Sequence, residues 1–453
     1  MLRNFTNRLF TSFTEDQPIA PLAVLRIAFG AIMLISTIRF VLKGWVHDFY
    51  IAPKYFFSFV EWIRPMGAAG MYSIFALMAI ACFCIMTGLF YRLAVGIYFL
   101  CFCYVELLDK TYYLNHYYFV SIFAFLLFLV PANRYFSLDV LRKPSLKVTH
   151  VSGWTINVFK TQLCIVYFFA GVSKLTYEWM IQAMPLRIWL PAHSQIPVIG
   201  GLLTQSWVAY AFSWFGAIFD LVIWIFLLKK STTKYAYIFV LVFHVFTAWF
   251  FKIGMFPYIM ICVTMVFFSS EFHQQLINRV RNTFGKKNAA EPVVAWHLRP
   301  AVQNAMCCML VVYFFFQLIL PFRYLLYPGT LLWTEEGYRF SWRVMLMEKG
   351  GTAFFYVKDP ATGGRSEIDN ARYLTPMQQQ MMETQPDMIL QYAHFLSETY
   401  KKKGIKDPVV TVESYVTLNG SGSRLFIDST VDLAKEYESF QSKKWILPFQ
   451  TKK

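Results

Sequence analysis

Nine apolar stretches of helical length, at about 21–42, 67–90, 92–108, 114–131, 156–172, 206–228, 235–251, 253–270 and 303–321, fill most of the first 321 of 453 residues. A bilayer's hydrocarbon core is spanned by about 20 apolar residues in an α-helix, and every backbone polar group there must be satisfied within its own segment. A chain with so many stretches of this kind folds as a polytopic helical bundle. Several are short, so one or two are expected to be tilted or re-entrant. After Pro321 the hydropathy collapses, and the composition of 57% hydrophobic, 19% aromatic and 15% charged residues averages two unlike parts. The predicted fold is an all-α polytopic membrane bundle of about nine spans over residues 1–321, followed by an α+β extracytoplasmic domain over 322–453.

Charge placement orients the chain. One set of loops carries Arg3 and Arg8, then Arg92, then Arg134, Arg142, Lys143 and Lys147, then Lys229, Lys230 and Lys234, then Arg279, Arg281, Lys286, Lys287 and Arg299. The opposite loops carry only Lys43, Lys54, Arg64, Lys110, Lys174, Arg187 and Lys252. The positive-inside rule therefore predicts a cytoplasmic N-terminus and an extracytoplasmic C-terminal domain, periplasmic if the source is bacterial. The first eighteen residues lack the apolar core of a cleaved signal, so the first span is expected to serve as its own insertion signal. From Phe322 onward 17 Lys+Arg stand against 15 Asp+Glu, so nearly all of the net charge of +16 belongs to the membrane part. Topology accounts for the basic balance, and no nucleic-acid partner is needed to explain it.

Beyond residue 321 the pattern is mixed α/β. Residues 339–346 and 352–358 are predicted strands, 359–364 a turn-rich link to another short strand, and 375–400 one or two helices. Val409–Leu418 is β-branched and extended, and the turn dipeptide Asn419-Gly420 lets 424–427 return as its partner. A soft linker is expected at 285–292. All eight cysteines (Cys82, Cys84, Cys101, Cys103, Cys164, Cys262, Cys307, Cys308) lie in apolar stretches, so no disulfide framework is indicated. The two Cys-x-Cys pairs make a poor half of a metal site, because residues two apart on a helix point about 200° apart. No metal is expected.

Polar groups inside apolar stretches are costly to bury, so function should concentrate at them. The run Tyr167-Phe168-Phe169-Ala170-Gly171-Val172-Ser173-Lys174-Leu175 ends such a stretch on a lysine. An ammonium at the edge of hydrocarbon either snorkels to the headgroups or gives up its proton, and a neutral amine is a base. Snorkelling is the commoner fate of a lysine closing a span. Lys174, however, has company on the same outward side: Asp109-Lys110 end the third stretch, Asn115-His116 open the fourth, Arg187 follows the fifth, and His244 lies within the seventh.

These residues also resemble a known family. Leu107-Leu108-Asp109-Lys110-Thr111 followed by Asn115-His116-Tyr117, then the run ending Gly171-Val172-x-Lys174-Leu175, then Phe243-His244 and Ile253-Gly254-Met255-Phe256, are similar to the vitamin K-dependent gamma-glutamyl carboxylases and their bacterial relatives. The likeness continues through Tyr338-x-Phe340-Ser341-Trp342, Asp387-Met388-x-x-Gln391-Tyr392-Ala393, Ile427-Asp428-x-x-Val431-Asp432 and Trp445-x-x-Pro448, in the family's order. It spans about residues 21 to 448.

The resemblance implies an enzyme that oxidises a reduced vitamin K-type naphthoquinone (phylloquinone or menaquinone hydroquinone) with O2 to its epoxide. The energy released serves to remove a γ-proton from a protein glutamate, and the carbanion adds CO2. By the same likeness, Lys174 would be the base that takes the hydroquinone proton, as a free amine left by desolvation, with His116 as its catalytic companion. Asn115, His244, Tyr338 and Trp342 would hold the quinone, and Arg187 and Lys349 the glutamate. The implied partners are a glutamate-containing protein or peptide, membrane lipid and a quinone-epoxide reductase. The chain departs from the animal pattern at Ser173, where that pattern has a second lysine, and at Thr247, Met347 and Lys349. It also ends soon after the Trp445 motif, without the long extra region of animal enzymes. Two other classes fit the same polar residues: a quinol-oxidising membrane enzyme that carboxylates no protein, and a non-catalytic membrane module or transporter. No inverted repeat favours the latter. A haem-based electron carrier fits poorly, since His116 and His244 lack a justified paired-helix arrangement.

Overall fold

The computed structural model describes residues 11–251, 253–283, 285 and 292–450, so the predicted linker at 285–292 lies almost wholly outside the described residues. The apolar stretches fold as α1 (Ala20–Leu42), α2 (Ala68–Thr87), α3 (Tyr91–Leu108), α4 (Asn115–Leu129), α5 (Trp154–Val172), α6 (Ser206–Leu228), α7 (Thr233–Phe250) and α8 (Phe256–Thr264). The polar α9 (Ser270–Thr283) intervenes before the last of them, α10 (Pro300–Ile319). Among the described residues seven helices are long and apolar enough to cross a membrane, and the sharply bent pair of α8 and α9, meeting at 112°, makes up to an eighth. The fourth stretch yields only the 15 residues of α4, about 22 Å of helix.

Local chemistry explains several boundaries. Proline occupies the first turn of α1, α8 and α10, where its missing N–H costs nothing. Gly88 ends α2 at φ +69°, with its N–H on the last carbonyls of the helix. Arg26, on α1 and fully buried, donates to the carbonyls of Ile85, Met86, Ala132 and Phe136, gathering the ends of α2 and α4 about one side chain. Three short strands, β1 (Asp16–Pro18), β2 (His150–Ser152) and β3 (Ala295–Trp296), tie the segments before α1, α5 and α10 together. Within the bundle, Gln162 of α5 and Gln317 of α10 share a hydrogen-bond chain with Tyr118 and Tyr313.

The C-terminal region is built on a four-stranded antiparallel sheet in the order β5-β4-β6-β7: β4 (Lys349–Lys358), β5 (Arg365–Glu367), β6 (Val409–Leu418) and β7 (Arg424–Leu425). Ala353, Phe355 and Val357 of β4 and Val410, Val412 and Val416 of β6 alternate onto one buried face, the period-2 pattern of a sheet covered on one side. Helices α11 (Pro376–Met382) and α12 (Pro386–Lys402) contact that sheet. The expected strand at 339–346 is absent. Phe340, Trp342 and Met345 adopt φ near +59°, +58° and +57°, a left-handed backbone that bulky side chains rarely take. The segment is a strap whose backbone bonds to side chains of the bundle: the Phe340 N–H donates to the Tyr113 hydroxyl at 2.8 Å, and the Arg343 carbonyl accepts from Asn115 Nδ2.

A polar seam joins the two regions. Asp109 caps the turn after α3 and accepts from Gln378 of α11 at 2.8 Å. Asp387, opening α12, sits between Lys110 at 3.1 Å and Arg339 at 2.5 Å. Burial pushes its carboxyl up, but the two cations outweigh that and hold it well below the usual aspartate range. The Asp109-Lys110 pair thus serves in this seam rather than in the cavity described next.

Candidate active site

Helices α5 and α6 approach closely at Gly171. A Cβ there would lie 2.7 Å from the backbone nitrogen of Leu221 and 3.0 Å from the carbonyl carbon of Asp220. This contact brings Asp220, the one acid in α6, opposite the end of α5. Lys174 Nζ donates to Asp220 Oδ2 at 2.7 Å and to the Ala170 carbonyl of its own last turn at 3.1 Å, and lies 5.5 Å from the centre of the Trp179 ring. Both partners are buried, at 7% and 5% exposure. An ammonium has three donors, so one remains for whatever the cavity holds. Trp179 is fixed in turn, its Nε1 donating to the Ser213 carbonyl and its own carbonyl accepting from the Ser213 hydroxyl.

Lys174 and Asp220 form part of the wall of a cavity of about 420 Å³, which Asn115, His116, His244 and Trp342 also line. The Asn115 amide is oriented by Tyr113, whose hydroxyl donates to Oδ1 at 3.0 Å, and by the strap carbonyl on Nδ2. The His116 ring stacks on Phe256 at 5.3 Å, and among the described residues its nitrogens make no hydrogen bond. His244 Nε2 faces the Tyr167 hydroxyl at 3.2 Å, which also meets Thr264. Trp342 stacks on Tyr118 at 5.0 Å. The remaining wall is almost entirely apolar. Phe215 of α6 and Val242 of α7 line the cavity yet are 47% and 57% exposed, so this side opens toward the surface that lipid would cover.

A family model described as "HTTM domain" matches residues 15–272, and one described as "Vitamin K-dependent gamma-carboxylase, lumenal domain" matches residues 302–452. The chain belongs to the vitamin K-dependent gamma-glutamyl carboxylase family. No solved structure matches it. Membership makes it an integral membrane protein with a non-cytoplasmic C-terminal domain, supports a vitamin K-dependent carboxylase role and implies a vitamin K cofactor.

Within this carboxylase-family cavity the structure gathers five of the eight residues expected from sequence: Lys174, His116, Asn115, His244 and Trp342. Three lie elsewhere. Tyr338 is partly buried against the core shared by the C-terminal sheet and the end of the bundle, and its carbonyl accepts from the Ser341 hydroxyl. Arg187 is exposed, although its neighbours Leu186 and Trp189 do line the cavity. Lys349 is committed to Glu335 at 2.8 Å and the Trp333 carbonyl at 2.9 Å. Asp220, Tyr167 and Trp179 were not anticipated. An acid in the middle of a 23-residue apolar helix was the available signal for the first of these, since hydrocarbon tolerates one only with a partner. Among the described residues no group of three or more His, Cys, Asp or Glu side chains is placed to hold a metal ion.

Proposed function

We propose that this protein converts glutamate in a protein or peptide to γ-carboxyglutamate, driven by O2-dependent epoxidation of a reduced vitamin K-type naphthoquinone, in the cavity beside Lys174. The observation that carries the reading is the convergence of a paired lysine, a histidine whose ring nitrogens have no hydrogen-bond partner among the described residues and an oriented asparagine on one apolar cavity open to the bilayer side. Such walls suit a flat apolar ring bearing two oxygens: Trp342 offers a stacking face, and Asn115 and His116 offer hydrogen bonds at fixed positions. When bound, the reduced naphthoquinone supplies with O2 the strong base that a glutamate γ-carbon needs, because no side chain can remove that proton at neutral pH.

Lys174 Nζ accepts the proton that starts the reaction. It must first be a free amine, and Asp220 makes that accessible. A proton moving from Nζ to Oδ2 across 2.7 Å leaves the pair neutral overall, whereas sending it to water would leave a net charge in a low-dielectric wall. His116 and Asn115 then favour negative charge as it develops on the cofactor's oxygens. His244 is a further quinone contact, oriented by Tyr167. The aromatic wall keeps water from the reacting groups. For the glutamate, the exposed Arg187, beside the cavity-lining Leu186 and Trp189, would take a carboxylate two-pronged, while Lys349 acts through the turn that it braces. The same reading sets the domain boundary near residue 321, places the N-terminus in the cytoplasm and makes a quinone-epoxide reductase the natural partner for regenerating the cofactor.

The test is to supply the purified protein with a reduced naphthoquinone, O2, labelled CO2 and a glutamate peptide, and to follow epoxide and label together. Both should form. Epoxide without label would favour a quinol oxidase, and neither product from folded protein would favour a non-catalytic module.

A further inference from the structure

The strap that closes the reaction cavity alternates in what it faces. Trp342 and Val344 line the large cavity, while Ser341 and Arg343 line a second one of about 170 Å³. Arg343 is only 7% exposed, and its Nε is buried with no hydrogen-bond partner among the described residues. Its guanidinium lies 4.3 Å over the Tyr324 ring and has no carboxylate within ion-pair distance among the described residues. A buried guanidinium without an anion is costly, and the chain offers this one no anion in contact. Glu178 lines the same cavity, also without an ion pair among the described residues. Two opposite charges therefore face one small space without touching, an arrangement that suits a ligand carrying both signs.

The rim indicates where such a ligand comes from. Leu175, just past the end of α5, and Phe322, just past α10, line this cavity and are 54% and 43% exposed, and Leu325 and Leu326 on the same turn are 67% and 81% exposed. Exposed apolar side chains at the ends of two spans belong at the boundary of hydrocarbon and headgroups. We propose that this cavity binds the headgroup of an ethanolamine phospholipid, with its phosphate on Arg343, its ammonium on Glu178 and its acyl chains over Leu175 and Phe322. A free amino acid or phosphoethanolamine carries the same two charges but leaves the apolar rim uncovered. Because the Arg343 carbonyl also holds Asn115, the lipid would brace the strap that frames the reaction cavity. The inference requires nothing of the chemistry performed there.

The test is native mass spectrometry of the full-length protein in mild detergent, offered phosphatidylethanolamine, phosphatidylglycerol and phosphatidylcholine in turn, then soluble phosphoethanolamine and glutamate. One phosphatidylethanolamine per chain should be retained in preference to the others. Arg343→Gln should lower that retention about tenfold or more, the loss of a charge-assisted contact, and Glu178→Gln should erase the preference over phosphatidylglycerol. Equal retention of the three lipids by the wild-type protein overturns the proposal, and that comparison stands even if a variant misfolds. So does unchanged retention in Arg343→Gln, or occupancy by a soluble compound without any lipid preference.

Discussion

Among the buried lysine–carboxylate pairs of the described residues, one in the bundle and one in the C-terminal region have nearly the same distance. Lys174 meets Asp220 at 2.7 Å with side chains 8% and 7% exposed, and Lys349 meets Glu335 at 2.8 Å with side chains 4% and 12% exposed. Their surroundings differ. Lys349 spends a further donor on the Trp333 carbonyl and lies 4.7 Å over the Phe426 ring, so it is enclosed by its own chain. Burial draws its ammonium below the ordinary lysine value, with Glu335 opposing the shift. Lys174 likewise uses two donors on the protein, but its nitrogen stands at the wall of a 420 Å³ cavity. A short ion-pair distance therefore does not separate a working lysine from a structural one. The space beside the nitrogen does.

Replacing each lysine is the most direct way to break the comparison. Lys174→Ala should cut naphthoquinone epoxidation by about 10²–10⁴-fold, the usual worth of a positioned proton acceptor, beyond what the loss of stability from an unpaired Asp220 explains, with partial rescue by a small added amine. Full activity would remove Lys174 from the base role. Lys349→Met should act through stability instead, at a cost of about 3–5 kcal/mol because Glu335 is left as an uncompensated buried charge. Thermal unfolding of both variants beside the epoxide assay gives the two readouts. If Lys349→Met unfolds normally and loses only turnover, Lys349 is not the structural member of the two.

The carboxylates sharpen the same contrast with a smaller effect. Asp220→Asn keeps a hydrogen-bond acceptor near Lys174 Nζ but cannot take up its proton, so kcat should fall about 10–100-fold while the KM for hydroquinone changes little. Glu335→Gln should leave kcat near the wild-type value and lower the unfolding temperature. Equal kcat in wild type and Asp220→Asn would show that the carboxylate only steadies the amine.

Much of this was legible in the sequence because hydrocarbon is a strict solvent. It imposes the length and apolarity of α1, α2 or α6, and the alternation of Val409–Leu418 could only be a half-covered strand. The strap at 339–346 was not legible. Its residues alternate like a strand, but the partners that fix its backbone are the side chains of Tyr113 and Asn115, more than two hundred residues earlier. Asp220 is hidden for another reason: it has no polar neighbour in sequence, unlike Asp109-Lys110 or Asn115-His116, and its partner Lys174 lies 46 residues earlier. Lys349 and Tyr338 show the converse limit, since a motif in the right order says nothing about which way a side chain faces once its segment folds.

The seam between the two regions provides a pH test. Asp387 is held below the usual aspartate range by Arg339 and Lys110 despite its burial. A depressed carboxyl contributes stability that is present in full above the unfolded value, near about 4, and lost as pH falls through the lower folded value. Thermal unfolding of the wild-type protein between pH 7 and pH 3 should thus show a falling stability at the acid end. Asp387→Asn should be less stable at pH 7 by about 1–3 kcal/mol, the worth of hydrogen bonds to a charged partner, and flatter across the acid range. Parallel curves for the two proteins would assign the acid sensitivity to another carboxylate.

The finest adjustment lies in the glycines that set how closely α5 and α6 approach. A methyl group at Gly171 would meet backbone atoms of Leu221 and Asp220, which cannot swing aside, so Gly171→Ala must push the helices apart where Lys174 reaches for its carboxylate. Overpacking of this kind costs about 1–3 kcal/mol, and a few tenths of an ångström more between Nζ and Oδ2 would slow the proton exchange on which the free amine depends. At Gly216, one turn before Asp220, the same methyl group meets only the edge of Trp179 at 3.8 Å, an ordinary contact. Gly216→Ala should therefore be neutral or slightly stabilising, by at most about 1 kcal/mol from helix propensity, and because Gly216 lines the cavity its methyl group should act on the KM for hydroquinone rather than on kcat. The paired measurement asks whether the Lys174–Asp220 distance itself matters. Loss of kcat in Gly171→Ala beyond its loss of stability, with no loss of kcat in Gly216→Ala, would tie the rate to that separation, and equal kcat in the two variants would make the close packing incidental to the chemistry.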